Sequence, residues 1–208
     1  MSQSAPSPAN EPDPDAGGKL PWLAVAAAVL AADLWTKHLV FYPAALQPFA
    51  EGRTVGTVAS WWQTKIAYNP GATFGLGARL GPWILALGVS VVIAVLLRSL
   101  ATTPRSERLK CFALSIIVGG ALGNLYDRAL RPFVERDTNP GVRDFIDWYI
   151  PADSAAGRFL ESHHVLSSEY HWYTFNVADS LIVTGVILLA WKILREQPPV
   201  AASAEGGA

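Results

Sequence analysis

One segment of this 208-residue chain carries no charged residue: Pro82-Trp83-Ile84-Leu85-Ala86-Leu87-Gly88-Val89-Ser90-Val91-Val92-Ile93-Ala94-Val95-Leu96-Leu97. A bilayer-crossing helix needs roughly 20 predominantly apolar residues, and three further runs of comparable length occur in the chain. Buried core helices of a soluble protein are the alternative, but the clustering of the apolar residues favours a membrane bundle. The four predicted spans cover about residues 20–41, 82–100, 109–130 and 176–194.

The two ends of the chain lack this apolar pattern. Residues 1–18 are rich in Pro, Ala, Ser and Asp, so we predict a disordered N-terminal tail. A single membrane domain then covers residues 19–196, and a flexible C-terminal tail covers residues 197–208. The first apolar run is not expected to be a cleaved signal peptide. The tail before the run is acidic, and the run itself contains Asp33 and Lys37.

Basic residues predict the orientation of the spans. Short cytoplasmic loops carry an excess of Lys and Arg, and the connection between the second and third spans is basic. Both termini are therefore expected in the cytoplasm, with outer loops over residues 42–81 and 131–175. The basic residues on the predicted inner side are Lys19, Arg98, Arg105, Arg108, Lys110, Lys192 and Arg195.

The outer loops contain extended segments. Residues 61–68 are aromatic and β-branched and predict a strand, with a turn at Asn69-Pro70-Gly71 and a return strand over 73–76. Residues 141–149 predict another extended piece. The tryptophans favour a small sheet at the membrane interface.

A polar stretch, residues 151–171, follows in the second outer loop. We predict no regular structure there beyond a short helix around residues 155–162.

Polar residues within and next to the spans converge on one depth. At about 1.5 Å per helical residue, they lie in a layer just below the outer surface, although they come from separate segments. A proton or ion path would instead need polar groups along a whole span, and the inner halves here are apolar. The converging residues are Asp33, Lys37, Asn69, Asn124, Asp127, Arg128, Asp144, Asn176 and Asp179.

Several of these residues have structural alternatives. Lys37 could extend its charge to the interface or pair with a carboxylate. Asp127 is interpreted as a charge partner of Arg128 rather than as a reactive group. Asp179 begins the fourth span, where a carboxylate also stabilises a helix N-terminus.

The glycines of the third span indicate close packing. Gly119 and Gly123 form a small-xxx-small pair that lets two helices approach. Gly120 and Gly123 could also leave room for a substrate helix.

Composition excludes several classes of function. The net charge of −1 suggests no nucleic-acid partner, and the single cysteine, Cys111, excludes an internal disulfide. No His/Cys cluster has metal-ligand spacing, although a weak site at His163, His164 and His171 stays open. No serine has a placed base, and no phosphate-binding loop follows a strand.

Once these classes are set aside, the remaining candidate is acid–base catalysis by carboxylates in a site that is partly shielded from water. Two carboxyl groups held close together share a proton, so one can act as a base while the other acts as an acid. Such a pair can activate a water to hydrolyse a peptide bond without a metal or a covalent intermediate. A small transporter relaying protons through Asp33 and Lys37, and an assembly protein whose polar cluster only locks the bundle, are the rival hypotheses.

Five blocks resemble a known family, signal peptidase II, the bacterial lipoprotein signal peptidases. They occur in the family's order and cover about residues 21–194. The blocks are Asp33-Leu34-Trp35-Thr36-Lys37, Tyr68-Asn69-Pro70-Gly71-Ala72-Thr73-Phe74-Gly75, Gly119-Gly120-Ala121-Leu122-Gly123-Asn124-Leu125-Tyr126-Asp127-Arg128, Val142-Arg143-Asp144-Phe145-Ile146-Asp147 and Phe175-Asn176-Val177-Ala178-Asp179-Ser180.

The resemblance implies a four-helix aspartyl protease of the bacterial inner membrane with a periplasmic β-cradle. It implies cleavage of diacylglyceryl-modified prolipoproteins before the lipidated cysteine, and inhibition by globomycin. The catalytic pair maps onto Asp144 and Asp179, near the periplasmic face. We expect a monomer in contact with membrane lipids, with no cofactor. The site-lining positions map onto Asp33, Lys37, Asn69, Gly120, Asn124, Arg128 and Asn176.

Two parts of the chain depart from the family pattern. Residues 151–171 look like an insert between the two catalytic positions, and the acidic N-terminal tail is additional.

Overall fold

Four long apolar helices dominate the computed structural model, which describes residues 18–42, 52–71, 81–135, 141–163 and 170–196. All four are long and apolar enough to cross a membrane. The predicted return strand over 73–76 and both terminal tails up to residue 17 and from residue 197 lie outside the described residues. The four are α1 (Leu20–Phe41), α2 (Pro82–Thr102), α3 (Arg108–Leu125) and α6 (Val177–Arg195).

The third span is the central helix. Within the third apolar helix 61% of the most apolar window is buried inside the protein, against 11–17% in the other three. Glycines allow this close approach, because a Cβ on Gly119 would lie 2.5 Å from the Ala26 carbonyl oxygen of α1. The expected packing role of Gly119 and Gly123 is confirmed, since both face α1.

The third span also runs further than predicted and changes helix type. After Leu125 it continues through a π-helical turn (Tyr126–Leu130) into a short helix α4 (Arg131–Val134). In this turn the Arg131 N–H donates to the carbonyl of Tyr126, five residues earlier. One extra residue per turn rotates the following side chains, and Asp127, Arg128 and Arg131 are all buried.

A four-stranded antiparallel sheet lies at one end of the bundle. Its order is β1 (Thr54–Ala59), β2 (Trp62–Asn69), β3 (Val142–Ile150) and β4 (Tyr170–His171). Phe41 at the end of α1 packs with Ile66 of β2 and Phe145 of β3, which fixes the sheet to the bundle. The predicted architecture of four membrane helices with a small sheet is confirmed.

The sequence predicted β2 and β3 but not the two edge strands. β4 has only two residues, and β1 contains Gly56 and pairs irregularly with β2. The short helix predicted in the insert is confirmed as α5 (Ala155–Ser162). The hydroxyl of Ser154 caps it by accepting a hydrogen bond from the Gly157 N–H at 2.9 Å.

Candidate active site

The start of α6 is held against strand β3. The N–H groups of Phe145 and Ile146 donate to the carbonyl of Phe175, and the Phe175 N–H donates back to Ile146. This short ladder brings Asp144 beside Asn176, the residue that begins α6. Two segments more than 30 residues apart are thereby joined by one hydrogen-bonded bridge.

Asn176 connects the two predicted catalytic carboxylates. Its amide nitrogen donates to Asp144 Oδ1 at 2.7 Å, and its amide oxygen accepts from the Asp179 N–H at 2.9 Å. In return, Asp179 Oδ2 accepts from the Asn176 N–H at 3.2 Å, which completes a capping box. The capping interpretation of Asp179 is therefore correct. Its other oxygen, Oδ1, is held by a second amide, the side chain of Asn124, at 2.8 Å.

Burial makes Asp144 an unusual carboxyl group. Its side chain is 2% exposed, and desolvation, together with the negative charge of Asp179, raises the pKa of Asp144 to about 8. Hydrogen bonds from Asn69 and Asn176 act in the opposite direction but do not outweigh the burial. Asn69 is placed for this by the pairing of β2 with β3, in which Ala67 lies opposite Asp144. The pair therefore retains a proton at neutral pH.

A second group of charges lies next to this pair and is fully buried. Lys37 Nζ is 2.7 Å from Asp33 Oδ2 and 2.9 Å from Asp127 Oδ2, so it pairs with carboxylates rather than reaching toward the interface. Asp127 also receives two bonds from Arg143, at 3.0 Å from the backbone N–H and 2.8 Å from Nε. We call Asp33, Lys37, Asp127 and Arg143 the compensated cluster, because each of these charged side chains lies against one of opposite sign.

Hydrogen bonds join the compensated cluster to the carboxylate pair. Lys37 donates to Asn124 Oδ1 at 3.2 Å, and Asn124 in turn holds Asp179. Asp33 Oδ1 accepts from the Ala178 N–H at 3.0 Å, which ties α1 to the first turn of α6. The cluster thus sets the position of the helix that carries Asp179.

Arg128 approaches the site from the π-helical turn. Its Nη2 donates to the carbonyl of Gly71, just after the Asn69 turn. Its Nη1 is buried and has no hydrogen-bond partner among the described residues. The guanidinium lies within electrostatic reach of Asp144 and Asp179. Arg128 therefore offers an available donor beside the carboxylate pair.

Most predicted site residues occur in one connected network, with two corrections. Asp127 is a structural charge partner as expected, but its ion pairs within the described residues are with Lys37, Arg131 and Arg143 rather than with the adjacent Arg128. Space for a substrate helix beside Gly120 and Gly123 is absent within the described residues. A Cβ on Gly120 would lie 2.8 Å from the Ala178 carbonyl oxygen, and one on Gly123 would overlap the Asp33 carboxylate. Gly120 thus shapes the site by letting α6 approach α3.

The loop histidines are separated. The His163 ring contacts the Phe159 ring at the end of α5, whereas His171 lies 2.9 Å from the buried Asp147 of β3. His164 lies outside the described residues. Among the residues that the structure describes, no three His, Cys, Asp or Glu side chains are grouped as a metal site.

Sequence reasoning missed the cations that neutralise Asp127. Arg143 immediately precedes Asp144 in an apolar segment, and Arg131 follows Asp127 by four residues. Glu135 extends the group, at 3.2 Å from Arg143 Nη1. A search for partners of every buried charge would have pointed to Arg143, because a buried aspartate needs compensation.

Comparison with known proteins agrees with this geometry. Residues 25–195 match the family model described as signal peptidase (SPase) II. A lipoprotein signal peptidase of Klebsiella aerogenes is 37% identical, covering 82% of this chain and 86% of the relative. Those of Paraburkholderia phymatum (35% identical, covering 86% and 92%) and Francisella tularensis subsp. novicida (31%, covering 82% and 89%) are also similar.

Two solved structures share the fold. Both are described as bacterial membrane enzymes solved by the in meso method, at 2.3 and 1.9 Å resolution. The first has a TM-score of 0.62 at 22% identity and covers 90% of this chain and 94% of its own. The second has a TM-score of 0.59 at 23% identity and covers 85% and 94%. From the family match and these relatives, the chain belongs to the signal peptidase II family.

Proposed function

We propose that this protease is an aspartyl endopeptidase that cleaves diacylglyceryl-modified prolipoproteins immediately before the lipidated cysteine. Family membership makes it a membrane protease that acts on the signal peptides of lipoproteins. The aspartyl mechanism is supported by one observation in particular. Within the described residues, Asp144 and Asp179 bond to side-chain amides and form no ion pair with Lys or Arg.

This environment suits general acid–base catalysis. Asp144 holds the shared proton, since its pKa is raised to about 8, and Asp179 is the base. Asp179 takes a proton from water, the water oxygen bonds to the scissile carbonyl carbon, and Asp144 protonates the carbonyl oxygen. The resulting tetrahedral diol collapses as the C–N bond breaks. One proton passes from the Asp179 carboxyl to the leaving nitrogen, and the diol returns another to Asp144.

The surrounding residues have supporting roles in this proposal. Asn176, Asn124 and Asn69 orient the two carboxylates through hydrogen bonds. Arg128 uses its available Nη1 to bind a carbonyl oxygen of the substrate backbone. The compensated cluster and Gly120 hold α1, α3 and α6 in register beneath the site.

Location follows from the same layout. The basic connection between α2 and α3 lies at the bundle end opposite the sheet, so we place that end in the cytoplasm and the site near the periplasmic face of the inner membrane. Both termini would then be cytoplasmic. The lipid part of the substrate can remain in the bilayer while the peptide reaches Asp144. We further propose a monomer that globomycin inhibits.

Isosteric substitution of each aspartate tests the mechanism. Asp144→Asn and Asp179→Asn should each lower the cleavage rate by about 10²–10⁴-fold, because each removes a proton-transfer group. The assay uses the full chain in detergent with a lipidated prolipoprotein peptide, and globomycin as inhibitor. Asp147→Asn is the matched control, since Asp147 is equally buried and lies on the same strand but pairs with His171.

The control should cleave at a rate close to that of the unaltered protein. Normal cleavage by Asp144→Asn or Asp179→Asn, with helical content preserved, would overturn the aspartyl mechanism. Equal cleavage of lipidated and unlipidated peptides would contradict the proposed substrate while leaving the mechanism intact.

A further inference from the structure

Arg131 is a fully buried arginine that the proposed mechanism does not use. It is the first residue of α4, directly after the π-helical turn, and its side chain has no exposed surface. Burying a guanidinium costs free energy unless polar partners compensate it. The partners of Arg131 therefore indicate what this residue does.

The Arg131 guanidinium contacts both strands that carry site residues. Its Nη2 donates to the carbonyl of Gly141 at 2.9 Å, one residue before β3 begins. Its Cζ lies 5.4 Å from the centre of the Tyr68 ring on β2, a distance at which a cation and an aromatic ring attract each other. The carboxylate of Asp127 is 3.7 Å from its Nε. One side chain thus joins the end of β2 to the start of β3.

These two strand ends bring Asn69 and Asp144 together. Asn69 is the last residue of β2 and pairs with Val142, where the ladder between the strands ends. Its side chain forms a hydrogen bond to Asp144. Gly141 packs directly against Asn69, since a Cβ on Gly141 would lie 2.4 Å from the Asn69 carbonyl oxygen. Chain segments at the end of a ladder open most easily, so a contact beyond the last pair helps to keep Asn69 beside Asp144.

We propose that Arg131 is a positioning residue, which holds Asn69 against Asp144 by fixing the ends of β2 and β3. The inference rests on the aspartyl mechanism proposed above. Arg131 acts through Asn69 and does not bind the substrate. Its neighbour Arg128 holds the chain on the other side of Asn69, at the carbonyl of Gly71. The two arginines together fix the Asn69 turn.

The pH dependence of cleavage separates positioning from a role in folding alone. The hydrogen bond from Asn69 lowers the pKa of Asp144, against the larger effects of burial and of Asp179. Asp179, Lys37 and Arg128 are the charged groups that also act on Asp144, and none of the variants below alters them. Loss of the Asn69 bond should therefore raise the pKa of Asp144 and move the alkaline limb of kcat to higher pH.

The test measures kcat and KM across this limb, with the full chain in detergent and a lipidated prolipoprotein peptide. Arg131→Met should lower kcat by about 10–10²-fold, as expected for a small displacement of a reacting group, and should change KM little. The limb should move up by about half a pH unit to one unit, the size expected for one lost hydrogen bond. Arg131→Lys keeps a charge and a donor, and should recover part of kcat. In an Asn69→Ala background, Arg131→Met should cause no further shift.

Gly141→Ala tests the same contact without removing a charge. The added methyl would press on the Asn69 carbonyl, so the limb should move in the same direction. Gly52→Ala is the matched control. Gly52 also has a positive φ, of 83°, but its Cβ would face open space. This variant should keep the pH profile of the unaltered protein.

An alkaline limb that stays in place in both Arg131→Met and Gly141→Ala would overturn the proposal. A shift of equal size in Arg131→Met with and without Asn69 would also overturn it. If Arg131→Met does not fold, Arg131→Lys and Gly141→Ala decide the question. Failure of the aspartyl mechanism is distinguishable, because it would appear as normal cleavage by Asp144→Asn.

Discussion

The carboxylate pair and the compensated cluster are neighbours built from the same residue types, yet their surroundings differ. Asp127 in the cluster is 2.9 Å from Lys37 and 2.7 Å from an Arg143 nitrogen. Asp144 and Asp179 receive amide hydrogen bonds instead. A cation fixes a buried carboxylate in its charged form, whereas an amide positions it without supplying a compensating charge. In the proposed mechanism, proton exchange is therefore assigned to the pair.

The largest expected difference between the two regions is in how a substitution changes stability. Asp127→Asn should lower the free energy of unfolding by about 3–5 kcal/mol, because Lys37 and Arg143 would lose their shared buried counter-charge. Chemical denaturation of the full chain in detergent measures this. Asp144→Asn is the comparison variant and should not be destabilised, since an amide resembles the protonated carboxyl.

A loss of activity without a loss of stability in Asp127→Asn would contradict the distinction between the two regions. If Asp127→Asn were as stable as the unaltered protein but inactive, Asp127 would belong to the chemistry rather than to the framework.

A smaller effect concerns how α1 reaches the cluster. Gly123→Ala should cost about 1–3 kcal/mol, because the added methyl would overlap the Asp33 carboxylate that bonds Lys37. Gly88→Ala is the control, since its Cβ would face open space. Its unfolding free energy should stay the same or rise by up to about 1 kcal/mol, since alanine is the better helix former. Equal effects of the two alanines would show that close packing at Gly123 is unimportant.

The pH dependence of cleavage and of stability also distinguishes the carboxylate pair from the compensated cluster. Cleavage should fall about tenfold per pH unit above pH 8, as the pair loses the proton held by Asp144. Stability should also depend on this group. The native carboxyl has a higher pKa than the ordinary 3.8, so the native state binds more protons between these values and its stability decreases as pH rises through them.

Asp144→Asn should remove that part of the pH dependence of unfolding, whereas Asp147→Asn should keep it. A cleavage rate that stays constant from pH 7 to pH 10 would contradict proton donation by Asp144.

Local pattern was enough to predict the helices, because apolar length alone specifies a span. It also predicted the α5 helix and strands β2 and β3. The partners of Asp127 could not be read in the same way. Arg143 reaches it from β3, 16 residues further along the chain, and Arg128 of the π-helical turn bonds to Gly71. Contacts of this kind depend on how distant segments of the chain align with each other, rather than on the spacing of residues within one segment.

Gly120 illustrates the same limit. A small residue in a span permits close approach by any partner, and its sequence context does not say which. In the structure α6 occupies that space through Ala178 and Ile182. The candidate site residues followed from the resemblance of five sequence blocks to a known family. The distinction between amide-bonded and ion-paired aspartates required the three-dimensional contacts.

The capping box of α6 links folding to proteolysis. Asn176 starts the last membrane helix and is also the residue that holds Asp144. In the proposed mechanism, the chain then has no assembled peptidase until its fourth span has inserted and docked on β3. A nascent chain with only three spans in the membrane would then be inactive, so insertion of the fourth span would act as the activation step.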